Sequence, residues 1–565
     1  MEQKRKKDTK YIFADVLLPE IVFVIGVILF IVVYGVKILN PFYVDWLLGL
    51  GDLSQHYLGW ELFRQGEWGF PIGMTNRAAY PLETSVIFTD SIPIFAVLFK
   101  LFDRILPQQF QYFGLWGVLC FGLQGYYAAK IFNLFKLRKS CAYVGCSLLI
   151  LSPLMIYRMY MHTALAAQWL VLLSIYLFLK HDTDYKKCWK VTLEWMVIGT
   201  LVAGIHLYFL PMCFFFVLGY IILSIYKERK FSVKYILPLV TYILAVFFNT
   251  WLLGGFSSRA SSGATGLGEC NVNLNAFINP RGYSTFLSDL GGTPGQHEGF
   301  AYFGLGLLII IGISLVLELY SFIKEKKILK INFQAVVLII IAIASTIFAI
   351  ATEYMWGDIK LLSIPIPEKI AEIWAIFRTT GRYIWILWYL IAIYSIKAVS
   401  KLCVYWREKL HCIGTFVLIL CTGIQVLDMS EVLANKNENY STKVEYEYIE
   451  AEFWNKMIGF REFEHICIAY QIHEIPDYME WGAIATKYDL SVSQFYFARK
   501  IENMLDSISE VQWKEPLANT IYVFMPEQKK LLEDMQHTLR FYNIGKYIVG
   551  VTWLDDQGKV NDFSY

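Results

Sequence analysis

Eleven runs of mostly apolar residues recur along the 565-residue chain, at about 16–39, 111–135, 140–157, 163–180, 191–208, 210–226, 235–253, 301–322, 332–351, 382–400 and 411–428. Lipid offers the backbone no hydrogen-bond partner, so a run of about 20 such residues satisfies itself as a spanning helix. Composition agrees: 56% of the residues are AVILMFWYC and 17% are charged, where soluble domains hold roughly 45–50% and 25%. The 50 Lys+Arg and 48 Asp+Glu leave a net charge of +2, which points to no nucleic-acid partner.

Basic residues orient the runs, because short cytoplasmic loops collect Lys and Arg. Lys4, Arg5, Lys6 and Lys7 precede the first run, which is too long for a signal-peptide core and lacks a small-residue cleavage site, so it reads as a retained span. With the N-terminus inside, the inner loops hold Lys136/Arg138/Lys139, Lys180/Lys186/Lys187/Lys190, Lys227/Arg229/Lys230/Lys234, Lys324/Lys326/Lys327/Lys330 and Lys397/Lys401/Arg407/Lys409. Counting the short stretch 91–106 as a further span would turn these clusters outward. Lys100, Asp103 and Arg104 fall together there, as in an amphipathic helix lying in the interface.

The expected fold class is an α-helical polytopic membrane protein of about 11 transmembrane helices over 1–428, with outer loops at 40–110, 254–300 and 352–381. A small extracytoplasmic α/β domain is expected at 429–565, where strand-like runs at His465–Tyr470, Ile521–Phe524 and Lys546–Val551 alternate with helix-like Ser491–Leu505 and Glu527–Leu539. The ten cysteines are scattered, without C-x-x-C, so neither a disulfide framework nor a zinc site is expected; Cys270 and Cys467 fall in predicted outer loops.

Three polar clusters lie at predicted span mouths. In the first, Asp52, Gln55 and His56 share a helix face at i, i+3, i+4, with Asp45, Trp60 and Tyr80 nearby. A carboxylate there can take a proton from a hydroxyl or hold a sugar, or it can cap a juxtamembrane helix. The second is Pro153, Arg158, His162 and Gln168, where Arg158 either snorkels to the interface or binds phosphate. The third combines Asn279–Ser284, Gly295–Phe300 with His297 and Glu298, and Arg378 with Arg382 four positions on. Two guanidiniums on one face call for an anion between them or for salt bridges to Glu353, Asp358 or Glu372. The glycine-rich stretch 254–268 reads as a flexible loop that can order over a substrate. No G-x-G-x-x-G, P-loop, H-E-x-x-H or G-x-S-x-G motif is present.

These residues resemble the GT-C class of polytopic membrane glycosyltransferases, and more closely an uncharacterised bacterial family of that superfamily. The resemblance rests on G-D-L-S-Q-H-Y-L-G-W at 51–60, F-T-D-S-I-P at 88–93, N-P-R-G-Y-S at 279–284, G-Q-H-E-G-F-A-Y-F-G at 295–304, F-R-T-T-G-R-Y at 377–383 and Q-V-L-D at 425–428. It implies an acid in the first outer loop acting on the acceptor, a second polar motif in the next outer loop, and a polyprenyl-phosphate sugar entering from the bilayer as donor. Asp52 matches the first-loop acid and is expected to be the base, with Asp45 the alternative. Asp90 is a secondary acid that a helix N-cap explains equally well. The second-loop position holds Arg158 and His162 and no carboxylate, a departure that argues against a two-acid metal site, and no metal or other cofactor is expected.

The function so implied is inverting glycosyl transfer, hexosyl or pentosyl, to an envelope glycan, polymer or protein outside a bacterial cell membrane. Arg378, Arg382, Arg158 and His297 are the expected donor-phosphate ligands. His56, Gln55, Trp60, Tyr80, Glu298 and His162 are expected at the acceptor or sugar, although Trp and Tyr at such depths also serve as interface anchors. Competing readings are a lipid or sugar transporter, which would need paired charges at mid-depth, and a scaffold whose tail binds an envelope polymer.

Overall fold

The computed structural model describes residues 18–49, 51–184, 188–257, 267–325, 332–402, 413–499, 501, 515–554 and 563. Lys4–Lys7, residues 258–266 of the glycine-rich loop, parts of the inner basic clusters and most of the second half of the predicted helix Ser491–Leu505 fall outside them.

The helices in chain order are α1 Leu18–Tyr34, α2 Asp52–Gln65, α3 Pro93–Lys100, α4 Phe113–Leu134, α5 Lys139–Ile150, α6 Pro153–Arg158, α7 Trp169–Asp184, α8 Cys188–Ile205, α9 Phe209–Glu228, α10 Leu237–Leu252, α11 Leu305–Glu325, α12 Phe333–Ile350, α13 Glu368–Ala375, α14 Trp385–Ser400, α15 Ile413–Asp428, α16 Ser430–Ser441, α17 Ala451–Phe460, α18 Ile475–Lys487 and α19 Lys529–Met535. A helix falls on each of the eleven apolar runs. Among the described residues, by length and composition seven helical stretches can cross a membrane, or eight if α15 and α16, bent by 61°, count as one. The 17 and 16 residues of α1 and α10 reach only about 25 Å at 1.5 Å per residue.

Small residues let the spans approach. A Cβ added at Gly125 of α4 would meet Val22 Cγ1 of α1 at 2.8 Å, and one at Gly199 of α8 would meet the Tyr242 carbonyl oxygen of α10 at 2.6 Å. The stretch predicted to lie in the interface holds α3, too short to cross, with Leu98, Leu101, Phe102 and Ile105 exposed. Its Lys100 turns inward, donating to the Phe63 carbonyl at 2.6 Å and lying over the rings of Phe63 and Trp68.

Beyond the spans, β5 His465–Ile468, β6 Ser491–Val492, β7 Thr520–Phe524, β8 Leu539–Ile544 and β9 Tyr547–Thr552 form one sheet in the order β6-β5-β7-β9-β8; two small hairpins precede them, β1 Met74–Thr75 with β2 Thr84–Ser85 and β3 Glu353–Trp356 with β4 Ile359–Ser363. β5 runs parallel to both β6 and β7, and β9 antiparallel to β7 and β8. All five residues of β7 are buried, as expected of a central strand covered on both faces. The predicted helix Ser491–Leu505 is corrected at its start, where Ser491 and Val492 are strand and 493–499 are irregular, because both strand residues complete the sheet. The predicted Glu527–Leu539 helix is confined to α19, and Cys467 is a buried strand residue instead of a loop residue.

The first long loop grips this sheet. Val492 N donates to the Arg77 carbonyl at 2.8 Å and Tyr80 N to the Val492 carbonyl at 3.1 Å, so loop backbone lies along the outer side of β6. Arg77 also donates to the Asp489 carbonyl, 412 positions away, at 2.7 Å, and Gln65 of α2 to the Thr486 carbonyl of α18 at 2.7 Å. α16 folds back on α1: Asn437 Nδ2 donates to the Val32 carbonyl at 2.8 Å, and Tyr440 packs among Tyr34, Trp46 and Tyr160.

Candidate functional site

Glu298 is the hub of a buried ionic cluster. Its turn, Pro294–Gly299, opens with a capping box in which Thr293 and Gln296 satisfy each other's backbone. Gln296 is further fixed by Asn273 and Asn271, both at 2.8 Å. A Cβ at Gly381 would meet Gly299 Cα at 2.6 Å, so only glycine lets the turn bearing Glu298 close on the turn bearing Arg382.

Arg382 then binds Glu298 side-on, Nε to Oε2 at 3.0 Å and Nη2 to Oε1 at 2.9 Å. Arg158 donates Nη1 to Oε2 at 2.8 Å and Nη2 to the Glu298 carbonyl at 2.6 Å. Ser152 caps α6, with Pro153 in its first turn, and thereby sets the pitch that aims Arg158 inward. His162 Nε2 lies 3.0 Å from Glu298 Oε1, and its Nδ1 lies 2.9 Å from Asp52 Oδ2. Asp52 is the first residue of α2, while the N-cap is Gly51, whose φ of 106° suits glycine. The capping role weighed for Asp52 is thus replaced by pairing with His162.

Asp90 enters the same cluster. Its Oδ1 lies 3.5 Å from His206 Nε2, and it has a left-handed φ of 54°. It is not an N-cap: α3 is preceded by Ile92, and Asp90 closes the short turn Val86–Thr89. His206, at the end of an apolar run, was not singled out from sequence, although an ionisable residue at a span mouth is itself a signal.

Electrostatics divide the carboxylates. Burial pushes Glu298 up, but Arg382, Arg158 and His162 outweigh it and hold the carboxyl well below the usual range. Burial also raises Asp52, and its hydrogen bond to His162 together with the charges of His162 and His56 brings it below its ordinary value. Burial would lower His162, but its bonds to Asp52 and Glu298 raise it. For Asp90 burial wins over His162 and Arg382, and its pKa is pushed up to about 6. Burial drives His56 down to about 4.

A cavity of about 660 Å³ opens beside this cluster, bordered by Asp45, Asp52, Tyr157, Tyr160, Tyr283 and Lys436 among others. Asp45 lies on its wall, its pKa raised by burial. Tyr157, Tyr160 and Lys436 were not predicted, and Tyr283 only as part of Asn279–Ser284; they come from α6, the turn after it, the 254–300 loop and α16, which the fold alone brings together. Among the described residues no group of three or more His, Cys, Asp or Glu side chains could hold a metal ion.

Several expected site residues do other work. Arg158 and Arg382, expected at a donor phosphate, both pair with Glu298, itself expected at a sugar; buried guanidiniums require an anion and this carboxylate is the one they share. None of Glu353, Asp358 and Glu372 pairs with Arg382: Glu353 meets Lys360, and Asp358 accepts from Gly292 N. Arg378 is exposed, four residues from Arg382 but on irregular chain, so the two do not share a helix face. His297 Nδ1 lies 2.6 Å from the Pro294 carbonyl, and its Nε2 is 3.7 Å from Glu298. Trp60 is fully buried, donating to the Phe110 carbonyl at 3.2 Å, and is core instead of a sugar platform. Tyr80 stacks on His465 of the sheet at 3.7 Å. His56 Nδ1 meets Thr163 Oγ1 at 3.0 Å, and Gln55 reaches the Phe88 carbonyl at 3.5 Å, so both turn into protein.

Fold and cluster together define a multi-pass helical membrane protein with a buried ionic centre at one mouth of its helix bundle and a small sheet domain docked beside it. The chain belongs to the family described as a domain of unknown function, DUF6311, whose model matches residues 23–430; the DUF6311 C-terminal domain model matches 453–552. Among solved structures it is similar to a crystal structure of the Archaeoglobus fulgidus oligosaccharyltransferase, tethered by a disulfide bond to an acceptor peptide containing the NVT sequon, at 14% identity and a TM-score of 0.44, covering 94% of this chain and 74% of that chain. No curated protein matches it.

Proposed function

We propose that this protein is an inverting membrane glycosyltransferase that moves a sugar from a polyprenyl-phosphate donor to an acceptor outside the cell membrane, through eleven spans with the N-terminus inside and the cavity facing out. One observation carries the reading: Asp52, the acid that the GT-C resemblance assigns to the acceptor, borders a cavity of about 660 Å³ while its carboxylate is oriented by His162 and, behind it, by Glu298 and two arginines. The basic inner loops support the orientation.

In this reading the acceptor hydroxyl donates a hydrogen bond to Asp52 as its oxygen attacks the anomeric carbon. The new C–O bond forms on the face opposite the breaking bond to phosphate, the proton passes to Asp52, and the lipid phosphate leaves. Reach decides between the acids before basicity does: Asp52 and Asp45 border the cavity, whereas Asp90 is held beside His206. Arg158, Arg382 and Glu298 act as positioning residues through His162.

The test is transfer of labelled sugar from a panel of polyprenyl-phosphate sugars by the purified full chain in lipid. Asp52→Asn should lose at least about 100-fold in rate with unchanged thermal stability. Full transfer by Asp52→Asn, or no donor consumed by the wild type, overturns the reading. Sugar or lipid movement across vesicles without bond cleavage would mark a transporter instead.

A further inference from the structure

With Arg158 and Arg382 committed to Glu298, the cavity needs another cation if an anionic substrate is to enter it, and its wall contains one. Lys436 is in the middle of α16 and borders the cavity shared by Asp45 and Asp52. It is partly buried, and among the described residues it makes no hydrogen bond or ion pair. An ammonium removed from water without a counter-ion is costly, so such a group is stable only where an anion or solvent can reach it.

Its neighbours on the cavity wall include two further hydrogen-bond donors, besides the carboxylates of Asp45 and Asp52. Asn439, three residues on and hence on the same face of α16, also borders the cavity, and its side-chain amide is likewise without a partner among the described residues. Tyr283 borders the same cavity, and its hydroxyl makes no hydrogen bond among the described residues either. Three donor-bearing side chains with no protein partner among the described residues, Asn439 exposed and Lys436 and Tyr283 half-buried, thus border the cavity that holds the carboxylate of Asp52 and are open to an incoming anion. That carboxylate is paired with His162, and Asp45, the other acid on the wall, likewise forms no ion pair with Lys436 among the described residues.

The route to this site is apolar. Val24, Ile28, Val32 and Val36 recur every four residues along and just beyond α1, and each is more than half exposed, at 55%, 53%, 62% and 64%. The stripe runs to the end of α1 where Asn437 of α16 hydrogen-bonds the Val32 carbonyl, and exposed Phe42 continues it. A hydrocarbon chain lying along this stripe would bring its head group to α16.

We propose that Lys436, with Asn439 and Tyr283, binds the phosphate of a polyprenyl-phosphate lipid whose chain lies against α1. The assignment deepens the transferase reading and rests on it for the direction of chemistry, since it sets the leaving phosphate and Asp52 on one cavity. Substitution of Lys436 removes the charge, and arginine restores it with a different donor geometry.

The experiment measures binding of a long-chain polyprenyl monophosphate, carrying no sugar, to the full chain in neutral lipid nanodiscs. Lys436→Gln should weaken binding at least tenfold, Lys436→Arg should keep most of it, and Lys397→Gln, on the opposite end of the bundle, should bind as the wild type does. Inorganic phosphate and a phosphatidic acid should compete poorly. Wild-type affinity in Lys436→Gln, no binding by the wild type, or equal competition by phosphatidic acid or inorganic phosphate overturns the assignment. If Lys436→Gln unfolds, the Lys436→Arg protein decides alone, because loss of binding in that folded variant would also overturn it. Loss of transfer in Asp52→Asn together with unchanged lipid binding in Lys436→Gln would leave the transferase standing and sink only this proposal.

Discussion

Asp52 and His162, one opening α2 and the other in the turn after α6, meet at 2.9 Å. The other ring nitrogen of His162 lies 3.0 Å from Glu298. A neutral imidazole has a single N–H, so donating to both carboxylates requires the imidazolium. That is why two nearby carboxylates raise His162 against the pull of burial, and why Asp52 is lowered in turn.

Replacing His162 by Gln removes a cation from beside Asp52, so the Asp52 pKa should rise. If ionised Asp52 drives transfer, the acidic limb of the kcat/KM profile should move to higher pH in His162→Gln. An unmoved limb would mean that another group titrates there.

Glu298→Gln should be among the most destabilising single substitutions, by about 3–5 kcal/mol, because it strands two buried guanidiniums. Thermal unfolding in lipid would read it. The pairing also predicts non-additivity: Glu298→Gln combined with Arg382→Met should unfold at a higher temperature than Glu298→Gln alone.

Asp90 carries a pKa of about 6, raised above its ordinary 3.8 by burial in spite of His162 and Arg382. A raised carboxyl favours the folded state in its neutral form, so this contribution is present below pH 4 and is lost as pH rises through about 6. Asp90→Asn should therefore gain stability over the wild type between pH 5 and pH 7, by up to about 2–3 kcal/mol. A difference that stays flat across that range would contradict the argument.

Trp60→Ala should act on folding. Its ring is fully buried against Tyr112, and its removal should cost about 3–5 kcal/mol. Transfer per folded molecule should stay near that of the wild type, whereas a sugar platform would lose it at unchanged stability.

What could be read from the chain was set by local periodicity. The apolar runs predict helices at all eleven places, and the alternating tail predicts three of the five sheet strands, because both signals depend on near neighbours. Asp52, His162, Glu298 and Arg382 were each singled out at span mouths. Their pairing was not legible, since Glu298 meets Arg158 140 positions away and Arg382 84 positions away. The helix-face argument failed for Arg378 and Arg382 because the chain there is irregular. It misled for Gln55 and His56 because protein, not the cavity, covers their side of α2. Lys436 carries no signal in the sequence for a related reason: its segment reads as part of the tail, whereas α16 bends back to the membrane helices.

The backbone of the first loop lies along β6, an edge strand of the sheet. Ribosomes deliver that loop long before any strand of the sheet exists, so the late domain matures against a waiting template. One margin of the sheet is thereby closed to a second copy from within, and two stretches of chain made far apart in time are joined by the same few amides.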